Sequence, residues 1–228
     1  MRRRGARAVP DERFRLDAVA GSGAMGTVWR ATDLDSGARV AIKVLHTADP
    51  KLNERFVREA QILMQVQHPA VVQYVASGVT IEALRWLAME WLEGEDLGAR
   101  LASRVGLTVA ESLALARRAA EGLGAVHAAG IVHRDIKPSN LFLVGGQPGA
   151  VKLVDFGVAR LTDMDARMTA TGTALGTPAY MAPEQLAGKE VTVRSDIYAL
   201  GLVLYEVFTG KRAFEAKTIA DEFRIKRG

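Results

Sequence analysis

Apolar and polar positions alternate from residue 13 to 45. Phe14, Leu16 and Val19 come first, then a glycine cluster, then Val28 and Trp29, then Val40-Ala-Ile-Lys-Val44. A period of two broken by glycines predicts hairpin strands. The period changes over 51–67, where Leu52, Phe56, Ile62, Leu63 and Val66 share one helical face and Pro69 ends the run. Val71–Val75 and Trp86–Met89 read as strands, and Glu93-Gly94-Glu95 as a hinge between two lobes. Thr108 with Glu111 three residues later is a capping-box signature, and it opens a helical stripe through Leu113, Ala116, Ala120, Leu123 and Val126 that Gly130 closes. Short strands are predicted around Ile131–Val132, Leu141–Val144 and Val151–Val154. A last helix starts near Ser195–Asp196, where the buried aspartate is expected to cap backbone N–H groups. Its apolar run, Ile197–Phe208, carries Glu206, is too short to span a membrane, and is expected to be a buried helix. The pattern predicts an α+β chain with a small β-rich lobe over 13–92 and a larger helical lobe over 93–228.

Composition narrows the chemistry. The 228 residues are enough for one large domain or two small lobes, and 49% hydrophobic with 25% charged is ordinary for a soluble globular protein. With no cysteine, disulfides, thiolate nucleophiles and Cys-based zinc sites are excluded, and a reducing compartment, the cytoplasm, is expected. The four histidines, His46, His68, His127 and His133, include no pair at metal-ligand spacing. A net charge of +4 favours contact with anions but is too scattered to indicate nucleic acid, so no nucleic-acid partner is expected. The basic N-terminus lacks the apolar stretch of a signal peptide, and residues 1–12 read as a solvated, disordered tail. Arginine over lysine, with abundant alanine, hints at a GC-rich bacterial genome.

Four short stretches carry chemistry. Gly21-Ser22-Gly23-Ala24-Met25-Gly26-Thr27-Val28 fits G-x-G-x-x-G-x-V, in which glycines let a hairpin expose backbone N–H groups to phosphates without a Cβ in the way. Dinucleotide-binding folds share the pattern but follow it with a helix, whereas Thr27-Val28-Trp29 resumes a strand. Lys43 sits inside the apolar strand 40–44, a costly position unless paired, and Glu59 on the apolar face of the next helix supplies a partner. His133-Arg134-Asp135-Ile136-Lys137-Pro138-Ser139-Asn140 fits H-R-D-x-x-x-x-N, whose chance occurrence at this composition is on the order of 10⁻⁴ per chain. Asp135 can accept a proton from a substrate hydroxyl, Lys137 can neutralise a transferring phosphoryl group, and Asn140 offers a carbonyl to a metal ion. Asp155-Phe156-Gly157 follows an apolar strand, and a carboxylate there beside a second oxygen ligand suits Mg²⁺.

In order and spacing these stretches, with Ala182-Pro183-Glu184, resemble the motif set of the eukaryotic-like protein kinase family over about residues 13–225. The phrases 133–140 and 176–184 are most similar to its bacterial serine/threonine kinases. The resemblance implies a two-lobe protein-kinase fold that uses ATP and Mg²⁺ to phosphorylate serine or threonine on protein substrates. Gly21, Ser22, Gly23 and Gly26 would cover the ATP phosphates. Lys43 would hold the α- and β-phosphates and pair with Glu59. Asp135 would be the catalytic base with Lys137 beside it, and Asn140 and Asp155 would bind Mg²⁺. Val28, Ala41 and Phe142 would sandwich the adenine. Met89 would be the gatekeeper, and Glu90 to Leu92 the hinge that hydrogen-bonds adenine through its backbone. Lys137 marks serine/threonine specificity, with Thr177 supporting it.

Five threonines and no serine lie between Phe156 and Pro178. Thr169 and Thr171 resemble paired activation-segment phosphosites, and Arg134, directly before Asp135, would pair with their phosphate. Trans-autophosphorylation through a homodimer is the implied route. A pseudokinase would have lost Lys43, Asp135 or Asp155, and all three are present. A small-molecule phosphotransferase would lack Ala182-Pro183-Glu184 and the threonine-rich segment. An inert fragment is the remaining alternative. Gly228 lies 44 residues beyond Glu184, so an incomplete large lobe is expected, with Glu184 lacking the arginine that the family supplies from a later helix.

Overall fold

The computed structural model describes residues 12–23, 26–47, 49–103, 106–156 and 178–214. They divide into two compact units. One comprises the residues up to Gln67 together with Val72–Leu92, and the other comprises His68–Val71 and the residues from Glu93 onward. The architecture is α+β.

The first unit is a five-stranded antiparallel sheet with one helix. Its strands are β1 (Phe14–Ser22), β2 (Gly26–Asp33), β3 (Arg39–Leu45), β4 (Tyr74–Val79) and β5 (Arg85–Glu90), in spatial order β1-β2-β3-β5-β4. Alternation places Phe14, Leu16, Ala31, Val40, Ile42, Trp86 and Ala88 in one buried cluster. Phe14 meets Trp86 edge-on at 5.5 Å. Helix α1 (Pro50–Gln65) buries Phe56, Glu59, Ala60 and Leu63, which share one helical face. The strand expected at 71–75 lies instead at 74–79. Val71 forms a single parallel bridge to Leu153 and belongs to the second unit.

The second unit begins at Glu93, and Gly94 and Glu95 of the stretch read as a hinge lie in its first strand, β6 (Gly94–Asp96). β6 pairs with β7 (Leu141–Val144), which pairs with β8 (Val151–Leu153), all antiparallel. Helix α2 (Leu97–Ala102) follows β6 and is capped by the Asp96 carboxylate. Helix α3 (Val109–Ala128) starts at Thr108, whose hydroxyl accepts from the Glu111 N–H while the Glu111 carboxylate accepts from the Thr108 N–H. α3 packs on β8 and on helix α5 (Val193–Thr209), which follows the one-turn helix α4 (Pro183–Leu186).

Two expectations change here. Ile131–Val132 forms no strand; the Ile131 N–H closes the end of α3 by donating to the Val126 carbonyl. The α5 run is buried on one face only. Ala199, Leu200, Val203 and Val207 are buried, whereas Ile197, Tyr205 and Phe208 are exposed. Among the described residues no helix is long and apolar enough to cross a membrane.

Candidate active site

In the first unit, β1 and β2 join through the glycine-rich turn. Gly23 N–H donates to the Gly26 carbonyl at 2.9 Å. A Cβ on Gly26 would lie 2.4 Å from the Val44 carbonyl oxygen, so packing alone forbids a side chain there. At Gly21 and Gly23, among the described residues and apart from the chain neighbours, no atom lies within 4 Å of where a Cβ would stand, so packing among those residues gives no reason for the missing side chains. Open backbone of this kind suits the close approach of a phosphate. The Ser22 and Thr27 hydroxyls lie 3.2 Å apart, and Thr27 is 2.8 Å from His46 Nε2, which ties the turn to the end of β3.

Val28 pairs with Lys43 across β2 and β3, and Ala41 pairs with Met89 across β3 and β5. Lys43 Nζ lies 3.3 Å from Glu59 Oε1, with the carboxylate buried. At Glu90 the backbone N–H donates to the Gln73 carbonyl at 2.9 Å, and its carboxylate accepts from Gln73 N–H at 2.8 Å, which fixes the end of β5 before Leu92.

In the second unit, residues 131–137 run without regular structure into a 3₁₀ turn at Pro138–Asn140 and then β7. The loop is held by Asp196 at the start of α5. This buried aspartate does not cap its own helix, as its position had suggested. It accepts from His133 N–H at 2.7 Å, Arg134 N–H at 2.8 Å and His127 Nε2 at 2.9 Å. The α5 N-terminus is capped by Thr192 instead. His133 is fully buried and stacks on Phe156 with centroids 4.5 Å apart. Burial pushes its pKa below the ordinary value against the opposing pull of Asp196 and Asp135, so the ring is neutral.

Three polar side chains converge beyond His133. Lys137 Nζ is 2.9 Å from Asp135 Oδ2, and Asn140 Nδ2 donates to the same oxygen at 3.0 Å. Asn140 Nδ2 also donates to the Asp135 carbonyl at 2.8 Å and reaches the Asp155 carbonyl at 3.4 Å. All three partners are acceptors, so the amide nitrogen faces them and the Asn140 carbonyl oxygen is turned the other way. Asp155 follows β8 with φ +51°. An amide oxygen and a carboxylate fit a magnesium ion that takes its remaining ligands from phosphate and water. Among the described residues no cluster of three or more His, Cys, Asp or Glu side chains could hold a metal alone. Phe142 stands on β7, opposite Asp96 and Lys152. Gly157, Thr169, Thr171 and Thr177 lie outside the described residues.

Residues 14–227 match the protein kinase domain family. The chain belongs to that family. It is 42% identical over 213 residues to the serine/threonine-protein kinase pkn2 of Myxococcus xanthus, covering 91% of this chain and 25% of that protein. It is 39% identical to the serine/threonine-protein kinase PknA of Mycobacterium tuberculosis, covering 89% and 48%. A second Myxococcus xanthus protein, the serine/threonine-protein kinase Pkn1, is also 39% identical, covering 91% and 30%. The chain thus spans between a quarter and a half of the length of these relatives. The five-stranded antiparallel sheet and the helical second unit are the two lobes of the kinase fold, a family that in general uses ATP and a divalent metal.

Several residues of this kinase domain escaped the sequence reading. His127 and Gln185 both join the hydrogen-bond network around residues 133–135. Gln185 Nε2 donates to the Arg134 carbonyl at 3.0 Å. A glutamine at the third position of a helix opened by Pro183 is half of a capping box, and that was the signal available for it. Glu184, expected to lack its arginine, accepts a hydrogen bond from the Ser195 hydroxyl. Among the described residues the Arg134 side chain makes no hydrogen bond or ion pair.

Proposed function

We propose that the chain is the catalytic domain of a protein kinase that transfers the γ-phosphoryl group of ATP to serine or threonine hydroxyls of proteins. The observation that carries the reading is the convergence of Lys137 Nζ and Asn140 Nδ2 on one oxygen of Asp135, at 2.9 and 3.0 Å. Two donors fix the orientation of the carboxylate, which serves as the proton acceptor for the substrate hydroxyl. Residues 13–92 and 93–228 are read as the small and large lobes.

In this reading Asp135 orients the hydroxyl and takes its proton as the oxygen attacks phosphorus. Lys137 offsets negative charge on the group in flight. Gly21, Ser22, Gly23 and Gly26 present backbone N–H groups to the phosphates. Lys43, held by Glu59, anchors the α- and β-phosphates. Val28, Ala41 and Phe142 contact the adenine, Met89 bounds its pocket, and the backbone from Glu90 to Leu92 hydrogen-bonds it. Magnesium, held by Asn140 and Asp155, would supply charge neutralisation on the phosphate oxygens. Arg134 would receive a phosphate on Thr169 or Thr171 and so couple autophosphorylation, in trans within a homodimer, to activity. A cytoplasmic location is part of the same reading.

Incubating the purified chain with γ-labelled ATP and a general protein substrate, with and without Mg²⁺, tests the proposal. The expected result is Mg²⁺-dependent label on phosphoserine and phosphothreonine. Label only on tyrosine or on a small-molecule alcohol, or no label at all, contradicts it.

A further inference from the structure

Arg134 has φ +70°, a left-handed conformation that a residue bearing a Cβ adopts at a cost. It stands immediately before Asp135, so its conformation helps set the direction in which the Asp135 side chain leaves the backbone. Strained residues persist where their surroundings over-determine them. Here two elements grip the flanking peptide groups from opposite ends. On the N-terminal side, Arg134 N–H donates to Asp196 Oδ1 of α5 at 2.8 Å. On the C-terminal side, the Arg134 carbonyl accepts from Gln185 Nε2 of α4 at 3.0 Å.

The other end of the Gln185 amide is also occupied. Its Oε1 accepts from the Ala182 N–H at 3.0 Å. One end faces a carbonyl and the other an N–H, so the partners themselves fix which atom is nitrogen. Gln185 is therefore a two-ended strut between the backbone of Ala182-Pro183-Glu184 and the peptide that joins Arg134 to Asp135. A small crevice of about 10 Å³ lies beside it, bordered by Arg134, Asp135, Lys137, Tyr180, Gln185 and Asp196. The strut and the carboxylate border the same space.

We propose that Gln185 is a positioning residue for phosphoryl transfer: by holding the Arg134 carbonyl to the Ala182–Gln185 turn, it sets the orientation of the Asp135 carboxylate toward the acceptor hydroxyl. The inference rests on the assignment of Asp135 under Proposed function. Gln185 touches no reacting atom. Its removal slows the transfer step and leaves ATP binding as it was.

Two variants test this. Gln185→Met keeps the length of the side chain but neither donates nor accepts. Gln185→Glu keeps the acceptor for Ala182 N–H and sets a carboxylate against the Arg134 carbonyl, a mismatch that protonation repairs by restoring a donor. At about pH 8 both variants should show kcat lowered roughly 3- to 10-fold, the value of one hydrogen bond, with KM for ATP unchanged. As pH is lowered to about 6, the ratio of Gln185→Glu to wild type should rise, because a carboxyl facing a carbonyl near Asp135 and Asp196 has a raised pKa that Arg134 and Lys137 only partly offset. The Gln185→Met ratio should stay flat. Wild-type kcat in Gln185→Met, or an equal and pH-independent loss in both variants, overturns the proposal. If Gln185→Met does not fold by circular dichroism, the pH response of Gln185→Glu alone decides. If the wild-type chain transfers no phosphate, the proposed function fails by itself. Hydrogen exchange at residues 133–135 then reads the strut, with faster exchange in the variants expected and unchanged exchange contradicting it.

Discussion

His133 is fully buried against Phe156, and burial lowers its pKa from the ordinary value of 6.5. The consequence for stability has a definite sign. Above about pH 6.5 neither the folded nor the unfolded chain protonates this ring, and it makes no pH-dependent contribution. Below that value the unfolded chain binds a proton that the folded chain refuses, so stability is lost progressively from about pH 6.5 down toward the lowered folded pKa. Melting temperature should therefore fall between about pH 7 and pH 5, and a His133→Gln variant should show a flatter profile over that range. An identical slope in both proteins would contradict the assignment. Asp17 and Glu111, whose hydrogen bonds lower their pKa values, lose most of their contribution below about pH 5, at the acid end of this window. Some of the site was legible at this scale. A lysine inside an apolar strand and a glutamate on an apolar helix face each demand a partner, and the structure brings Lys43 and Glu59 to 3.3 Å. Asp196 was legible only as a buried acceptor. Which N–H groups it serves depends on a loop more than 60 residues earlier in the chain, and no local pattern encodes that distance.

β6 illustrates what local pattern does and does not encode among the elements. Gly94 has φ +141°, and a Cβ there would stand 2.0 Å from the Leu143 carbonyl oxygen on the paired strand β7. Gly94→Ala should cost roughly 1–3 kcal/mol, read as a lowered urea midpoint with an unchanged m-value. An unchanged midpoint would mean that β6 and β7 are not paired in this way. From sequence the same glycine read as a hinge, because turn chemistry and a tight strand crossing both call for Gly. The hairpins of β1 to β3 and the α3 capping box were legible because their signals are local and periodic. Ile131–Val132 and the first residues of Val71–Val75 misled because a short apolar run can be buried whether or not a ladder forms. Ile131 lends a single contact to α3 and Val71 one to β8, while Tyr74 and Val75 join β4.

For the whole molecule, the division between Leu92 and Glu93 lies beside the residues that read as a hinge, but His68–Val71 crosses it. The Leu153 N–H donates to the Ala70 carbonyl at 2.8 Å, and Gly122 of α3 packs so close to Ala70 that a Cβ would stand 2.8 Å from its oxygen. These contacts tie the segment to the second unit through partners that sequence separation conceals. Each unit carries part of the proposed functional set, Lys43 with Glu59 in the first and Asp135, Lys137, Asn140 and Asp155 in the second. The central claim is that Asp135 is the proton acceptor in a phosphoryl transfer. Asp135→Asn preserves size and hydrogen-bonding shape while removing the basic carboxylate, so it separates chemistry from binding. With ATP affinity measured by calorimetry alongside transfer to a protein substrate at saturating ATP, transfer should fall by about 10²- to 10⁴-fold while ATP affinity stays within about twofold. Transfer near the wild-type rate in a folded Asp135→Asn protein would contradict the account.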